Sequence, residues 1–451
     1  MSTRSPGAAP PPVPAKVKKI WVAMSTPFQA NFFAPLITEL RNEFEFVVTA
    51  REHDNITNIL RAKGIDFIQV GKHGGRELAN KLDAYAEGIK AMLPVVVREK
   101  PDLLLTERWP EAVRVAFGLN IPSWTIFYDE RESHVNQMVF PLASRVYVPR
   151  FYSFQELYSN GVTDPGKLAW FNGFHTGYLK GTVPSSHNPY EDLGLGSPLV
   201  FVRPEPEFAS FFANHEPILE KAVEKIQHQG LANVVVEPRT ESQKKKYSKM
   251  GVNVLEASMV ESPVAHADVA LGAAETMLME AFIMGKPAIS AIYWETSKPV
   301  EELHRYIPHT TDPRRIVGYV EEYLDSENQR AFSEKVSLLV KNMDNPAELM
   351  AKDIRRLNSP SQARSALKRR SRLEINLDII QAASLRPLRP TQIMKEANIS
   401  YTELRDIIQS LEEKNLLRAE NNISGKYYQA TTDGLKLLED FKSLRSRLSI
   451  D

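Results

Sequence analysis

Residues 268–290 read DVALGAAETMLMEAFIMGKPAIS. An apolar run, Val269 to Leu271, breaks into the small-residue turn Gly272-Ala273-Ala274. A helical pattern follows to Gly285, then Lys286-Pro287 and a second apolar run from Ala288 to Ala291. The spacing predicts strand, tight loop, helix, strand. In open α/β sheets such a loop, at the carboxyl end of a strand, is where ligands bind. The first free N–H groups of the following helix attract anions. Thr276 adds a hydroxyl in the first turn, and Glu280 lies one turn further along the same face. Two readings follow. Either a phosphate sits at the loop with a sugar diol at the Glu280 carboxylate, or Gly272 and the alanines only let helix and strand pack closely and Glu280 is solvated. From these residues alone the packing reading leads, because short Gly/Ala turns are common in α/β proteins.

The same alternation extends outward. Upstream, residues 20–24, 45–50, 67–70, 103–106, 123–127 and 145–148 read as strands. Residues 25–31 read as a loop that leads into a helix ending at Leu40, and 54–63 as a second helix. Strands alternating with helices imply a parallel sheet covered on both faces. Residues 150–197, rich in Gly, Pro, Asn and aromatics, break the rhythm. It resumes at 199–203, 233–237, 252–255, 268–271 and 287–292, and the chain is helical from 312 to 357. The expected architecture is α/β, with two Rossmann-like domains, 18–180 and 181–357, facing one another over a cleft. Residues 1–17 are rich in proline, alanine and serine and are expected to be a disordered tail.

Composition narrows the function classes. Apolar residues make up 43% of 451, and 56 basic residues balance 56 acidic ones, so no whole-chain field recruits nucleic acid or membrane. The absence of cysteine excludes disulfides, thiolate nucleophiles and cysteine-ligated zinc. His304 and His309, five residues apart, are expected on different helix faces, and no metal or other cofactor is expected. No apolar run reaches the roughly 18 residues that span a bilayer, and the cytoplasm is the default location.

The charge is local. Residues 358–371 form a polar, basic linker, and residues 364–451 carry 16 basic and 12 acidic side chains, net +4. Helical patterns at 372–384 and from Pro390 to near Asn398 precede a capping box, Ser400-Tyr401-Thr402-Glu403. That box starts a helix with Leu404, Ile407, Ile408 and Leu411 on one face. A hairpin around 421–425, with Lys426, Tyr427 and Tyr428 near its tip, and a last helix, 433–448, complete a winged helix-turn-helix over residues 372–451. The helix after Ser400 would be the recognition helix, exposing Tyr401, Thr402, Arg405 and Gln409 to a major groove of double-stranded DNA, with Lys426 in the wing. Glu403 and Asp406 dilute that basic face, and a module for protein contacts is the alternative. Leu437, Phe441, Leu444 and Leu448 form a 4-3-4 seam that would pair two chains as a homodimer or pack on the module's own core.

Several motifs fall in a recognisable order: Thr26-Pro27 with Asn31-Phe32-Phe33-Ala34-Pro35-Leu36, Thr49-Ala50-Arg51, Gly71-Lys72-His73-Gly74-Gly75, residues 110–118 (PEAVRVAFG), Arg203-Pro204 and residues 272–290. Through them, residues 18 to about 340 resemble the archaeal and bacterial family known as domain of unknown function 354. The fold of that family is similar to glycosyltransferase-B enzymes and to the non-hydrolysing UDP-N-acetylglucosamine 2-epimerases. Residues 366–451 look like the winged helices of archaeal regulators, and the pairing implies an archaeal origin.

The resemblance implies a nucleotide sugar in the cleft, with Glu280 on the ribose hydroxyls and Gly272 and Thr276 at the diphosphate. Arg203 is a candidate phosphate partner, or equally a strand-end arginine in a surface ion pair. The N-terminal loop and the segment His73-Gly74-Gly75 would face the sugar or acceptor, with His73 the candidate base, although a lone histidine beside two glycines is more often structural. The departures from the family pattern are instructive. Ala274 and Glu275 stand where glycines are expected, and a Glu275 carboxylate ~4 Å from a diphosphate would repel it by about 4 kcal/mol at an effective dielectric near 20, abolishing binding unless it turns away. Ala23, Ser25 and Gln29 replace ionisable residues and cannot act as bases near neutral pH. The chain therefore reads as a glycosyltransferase- or epimerase-like enzyme, or as a degenerate sensor. The alternative to turnover is a ligand-responsive transcriptional regulator.

Overall fold

The computed structural model describes residues 11, 16–52, 54–75, 77–182, 188–207, 212, 215–255, 263–294, 296–358, 372–385, 387–397, 401–422 and 425–448. Residues 1–359 form one compact unit and 360–451 another.

The first unit holds two parallel sheets. One contains β1 (Lys19–Met24), β2 (Glu45–Ala50), β3 (Ile68–Gln69), β4 (Leu103–Thr106), β5 (Ser123–Ile126), β6 (Arg145–Pro149) and β7 (Leu168–Phe171), in the order β3-β2-β1-β4-β5-β6-β7. The other contains β8 (Leu199–Arg203), β9 (Asn233–Val236), β10 (Asn253–Val254), β11 (Val269–Gly272) and β12 (Ala288–Ser290), in the order β10-β9-β8-β11-β12. Strands buried on both faces explain the near-continuous apolar runs. In β1 the two-residue period sends Ile20, Val22 and Met24 into one core and Trp21 and Ala23 into the core on the opposite face.

Four features differ from the sequence reading. Residues 25–31 are mostly helix, because Thr26 caps it by accepting from the Gln29 N–H at 3.4 Å and Pro27 occupies the first turn. The interval 150–197 contains β7, and a 22-residue helix, Leu78–Glu99, fills a stretch to which the sequence reading assigns no element. The helix Pro346–Leu357, assigned above to the second domain, returns to the first: Ala347, Met350, Ala351 and Ile354 join its core. Arg355 pairs there with Glu39 and Glu43 at 2.6 and 2.7 Å, and Asp353 with Arg145 at 2.6 Å.

That return also ties down part of the N-terminal segment. Val17 is fully buried, and the Asn358 amide exchanges hydrogen bonds with its backbone at 2.8 and 2.6 Å. The Pro11 carbonyl accepts from the Ser144 hydroxyl at 2.9 Å, so at these two positions the expectation of a disordered tail is corrected. Residues 1–10 and 12–15 of that segment and residues 359–371 of the linker lie outside the described residues.

The second unit comprises helices Arg372–Leu385, Pro390–Ala397, Tyr401–Glu413 and Thr432–Leu448, with a hairpin of β13 (Leu417–Asn422) and β14 (Gly425–Ala430). Leu388 bridges Tyr428 and adds an antiparallel edge. Leu404, Ile407, Ile408 and Leu411 pack into its core with Ile379, Ile380 and Leu417. In the 4-3-4 seam Phe441 packs on this same core and Leu437 is exposed; the side chains of Leu444 and Leu448 lie outside the described residues.

Candidate functional site

Strand order reverses between β1 and β4 in one sheet and between β8 and β11 in the other, and such switch points open a crevice at the strand ends. Both crevices serve one cleft of about 660 Å³ between the two sheets. The ends of β8 and β11 are held together where Ala273 N–H donates to the Arg203 carbonyl at 3.0 Å.

On the second-sheet side, Gly272 is required for packing. A Cβ there would lie 2.8 Å from the Arg203 carbonyl oxygen and 2.5 Å from the Met277 methyl. The helix Glu275–Ile283 then begins with Ala274 at its N-cap, which offers no side chain to the first N–H groups. Thr276, Glu280 and Arg203 line the cleft around this helix start. Arg203 donates to the Glu237 carboxylate at 2.5 Å and to its carbonyl at 3.1 Å, so it does form an ion pair, partly buried at the cleft wall. Beside it, Arg239 reaches the Pro204 carbonyl at 2.9 Å. Burial, then the Arg203 charge, pushes Arg239 down to about 9, which leaves it cationic at neutral pH. The Tyr178 hydroxyl lies 3.4 Å from Glu280.

On the first-sheet side, Glu107 and Arg108 follow β4 and are both buried, paired at 2.6 Å. Arg108 holds a left-handed backbone (φ 45°) and stacks its guanidinium over Tyr128 at 4.5 Å. Gln29, which stands where the family resemblance leads one to expect a histidine, donates to Glu107 at 2.7 Å. Burial raises the Glu107 carboxyl even against the Arg108 charge.

Glu275, at the helix start, lines the cleft and is fully partnered. Arg131, after β5, takes its two oxygens at 2.8 and 3.0 Å, and Ser297 donates at 2.8 Å. Arg131 is itself held by Asp129 through two bonds of 3.0 Å. The Glu275 charge is thus matched by a cation supplied from across the cleft. A second strap runs beside it: Glu130 accepts from the Lys298 N–H at 2.7 Å, and Lys298 pairs with Glu156 at 2.6 Å.

Gly272, Thr276, Glu280 and Arg203 are therefore brought together, but His73 is not. It is exposed, accepts from the Gly75 N–H at 3.0 Å and does not line the cleft. A Cβ at Gly74 would strike the Asn80 carbonyl at 2.5 Å, so this loop is shaped by packing onto the helix start at Leu78. His304 and His309 stack at 4.3 Å rather than facing apart, because the helix Lys298–Leu303 has already ended. The sequence reading also missed Arg108, Tyr128, Arg131, His175 and Arg239. Four of them had one available signal, since each lies within five residues after a strand expected from the sequence, whereas His175 follows β7, which was not.

In the second unit Arg405 and Gln409 are exposed on the helix Tyr401–Glu413. Arg405 lies 3.8 Å from Asp406, and Gln409 donates to Glu413 at 3.0 Å. Lys426 is exposed on β14, 3.8 Å from Glu412 and over the Tyr428 ring at 4.9 Å. The side chains of Tyr401 and Thr402 lie outside the described residues. No helix among the described residues is long and apolar enough to cross a membrane.

Residues 18–355 match the family described as "Protein of unknown function (DUF354)", and residues 369–449 match "Winged helix-turn-helix". An uncharacterized protein of Methanocaldococcus jannaschii is 29% identical over 325 residues, 68% of this chain and 91% of that protein. Among solved structures, the S. aureus MnaA-UDP co-structure is 17% identical with a TM-score of 0.57, covering 73% of this chain and 93% of that one. The Neisseria meningitidis UDP-GlcNAc 2-epimerase bound to UDP-GlcNAc is 15% identical with a TM-score of 0.53, covering 72% and 98%. The first unit has the glycosyltransferase-B-like fold of these neighbours.

Proposed function

The chain belongs to the DUF354 family, and from that premise we propose that its cleft binds a nucleotide or nucleotide sugar while its winged helix binds DNA. The observation that carries the first half is the uncapped start of the helix Glu275–Ile283, flanked by Arg203 and Arg239, with Glu280 one turn further on. Backbone N–H groups and guanidinium forks suit phosphate oxygens, and a carboxylate suits a sugar diol. The neighbouring folds were solved with UDP or UDP-GlcNAc, which supports the same ligand class here.

A thermal-shift screen with UDP, GDP, dTDP and their sugars tests this. Ligand at 100 times its Kd should stabilise the protein by about 2.7 kcal/mol. Arg203→Ala and Glu280→Ala should each weaken binding by about tenfold, the loss of roughly 1.4 kcal/mol expected for a charged hydrogen bond. No shift with any nucleotide ends this reading.

For turnover, the buried charges favour a sensor. Glu107 is engaged by Arg108 and Gln29, and Glu275 by Arg131 and Ser297, which leaves neither carboxyl free as a base. Nucleotide release or epimer formation from the same panel would overturn the sensor in favour of a transferase or epimerase.

DNA binding rests on the winged-helix match and the net +4 segment. Selection of bound genomic fragments should yield a motif. Arg405→Ala with Lys426→Ala should lower the slope of log K against log salt by about 2, near one per phosphate contact removed. An unchanged slope assigns the module to protein contacts.

A further inference from the structure

His175 begins the short turn His175–Leu179 and is only 3% exposed. Its ring stacks on Tyr128, with centroids 4.0 Å apart and planes at 17°, and meets the Phe28 ring edge-on at 5.1 Å. All three rings, with Tyr178, line the cleft. Neither Nδ1 nor Nε2 has a hydrogen-bond partner among the described residues. Burial, reinforced by the Arg108 charge, lowers the imidazole to about 3, so the ring is neutral and offers one donor and one acceptor. Native structures rarely leave such a pair unmet, because unpaired buried polar atoms are costly.

The chemistry selects the partner. A cation is opposed by Arg108, and an apolar group would leave both nitrogens unpaired. An anion would meet a ring with a single proton, while its better donors lie at the opposite wall. A hydroxyl or amide donates and accepts as the ring does. Tyr128 is covered by His175 on one face and Arg108 on the other, but Phe28 and Tyr178 also line the cleft here and suit a ligand with an apolar side, which a pyranose ring presents.

We propose that His175 recognises the sugar half of the ligand, hydrogen-bonding a neutral hydroxyl or amide on a ring packed against Phe28 and Tyr178. This rests on the nucleotide-sugar reading and names the residue that tells a nucleotide sugar from a bare nucleotide.

His175→Phe keeps the aromatic stack and removes both nitrogens, so the fold should be at least as stable. Calorimetric titration should show UDP affinity unchanged while affinity for UDP-glucose and UDP-N-acetylglucosamine falls about tenfold, the effect of one deleted hydrogen bond. His175→Gln, which retains a donor and an acceptor, should restore part of the difference. If all three affinities fall together, or none does, the sugar assignment is overturned while nucleotide binding stands. If the wild-type protein binds no nucleotide, the nucleotide reading fails separately, and imidazole ¹⁵N spectra with free glucose and N-acetylglucosamine decide. A His175 shift absent from His175→Phe upholds the assignment, and no shift overturns it.

Discussion

Arg108→Met is expected to destabilise the first unit by about 3–5 kcal/mol, because it strips the cation from a buried carboxylate. Glu107 is 3% exposed and Arg108 9%, and their charges meet at 2.6 Å. Burial already raises Glu107 with its partner present. Without Arg108, among the described residues the Gln29 amide is the side chain left to stabilise the anion. Removing both charges behaves differently, since a buried ion pair returns little net stability once its desolvation cost is counted. Glu107→Gln combined with Arg108→Met should therefore recover most of the loss, leaving about 1–2 kcal/mol for the missing Arg108–Tyr128 stacking and the bonds to Asn136 and the Asp129 carbonyl. Urea unfolding midpoints of the two singles and the double give the coupling energy. A single-mutant cost below about 1 kcal/mol would mean that water reaches this pair in the native protein.

The parallel sheets were legible because their strands are buried on both faces and stand out as apolar runs. Leu199–Arg203 and Val269–Gly272 lay within a residue of the expected places. The cleft was legible where its lining is local, on the second-sheet side and in the stretch after β1, whose Pro27, Phe28 and Asn31 line it. Gly272, Thr276 and Glu280 sit in one continuous segment, where helix period alone puts them together. The opposite wall is assembled from Arg108, Tyr128, Arg131 and His175, which are separated along the chain and converge only through sheet order. No local spacing encodes that convergence. Glu275 shows the same limit: read alone it is an anion at an anion site, and only a cation 144 residues away in sequence changes its meaning. His73 is the opposite case, because the packing of Gly74 against Asn80 is local and the glycine neighbours already pointed to a structural histidine.

Acidification below pH 6.5 is expected to destabilise the wild-type protein more steeply than His175→Phe. In the unfolded chain the histidine titrates near 6.5, and in the folded one near 3. Between those values the unfolded state binds a proton that the native state does not, so stability is complete above pH 6.5 and falls by about 1.4 kcal/mol per pH unit below it. From pH 6.5 to 4 this amounts to roughly 3 kcal/mol from His175 alone. His304, lowered to about 4 by burial and then by His309, acts in the same direction. Glu107 and Glu275 oppose it, because burial raises their carboxyls and the native state then gains protons before the unfolded one. The raw pH profile is therefore a net of both signs, and the difference between wild type and His175→Phe isolates the imidazole. Urea midpoints at half-unit steps from pH 4.5 to 8 should diverge only below about 6.5 and by about 1.4 kcal/mol per unit. Parallel profiles would mean that the native His175 ring accepts a proton, which is incompatible with an imidazole enclosed between Tyr128 and Phe28.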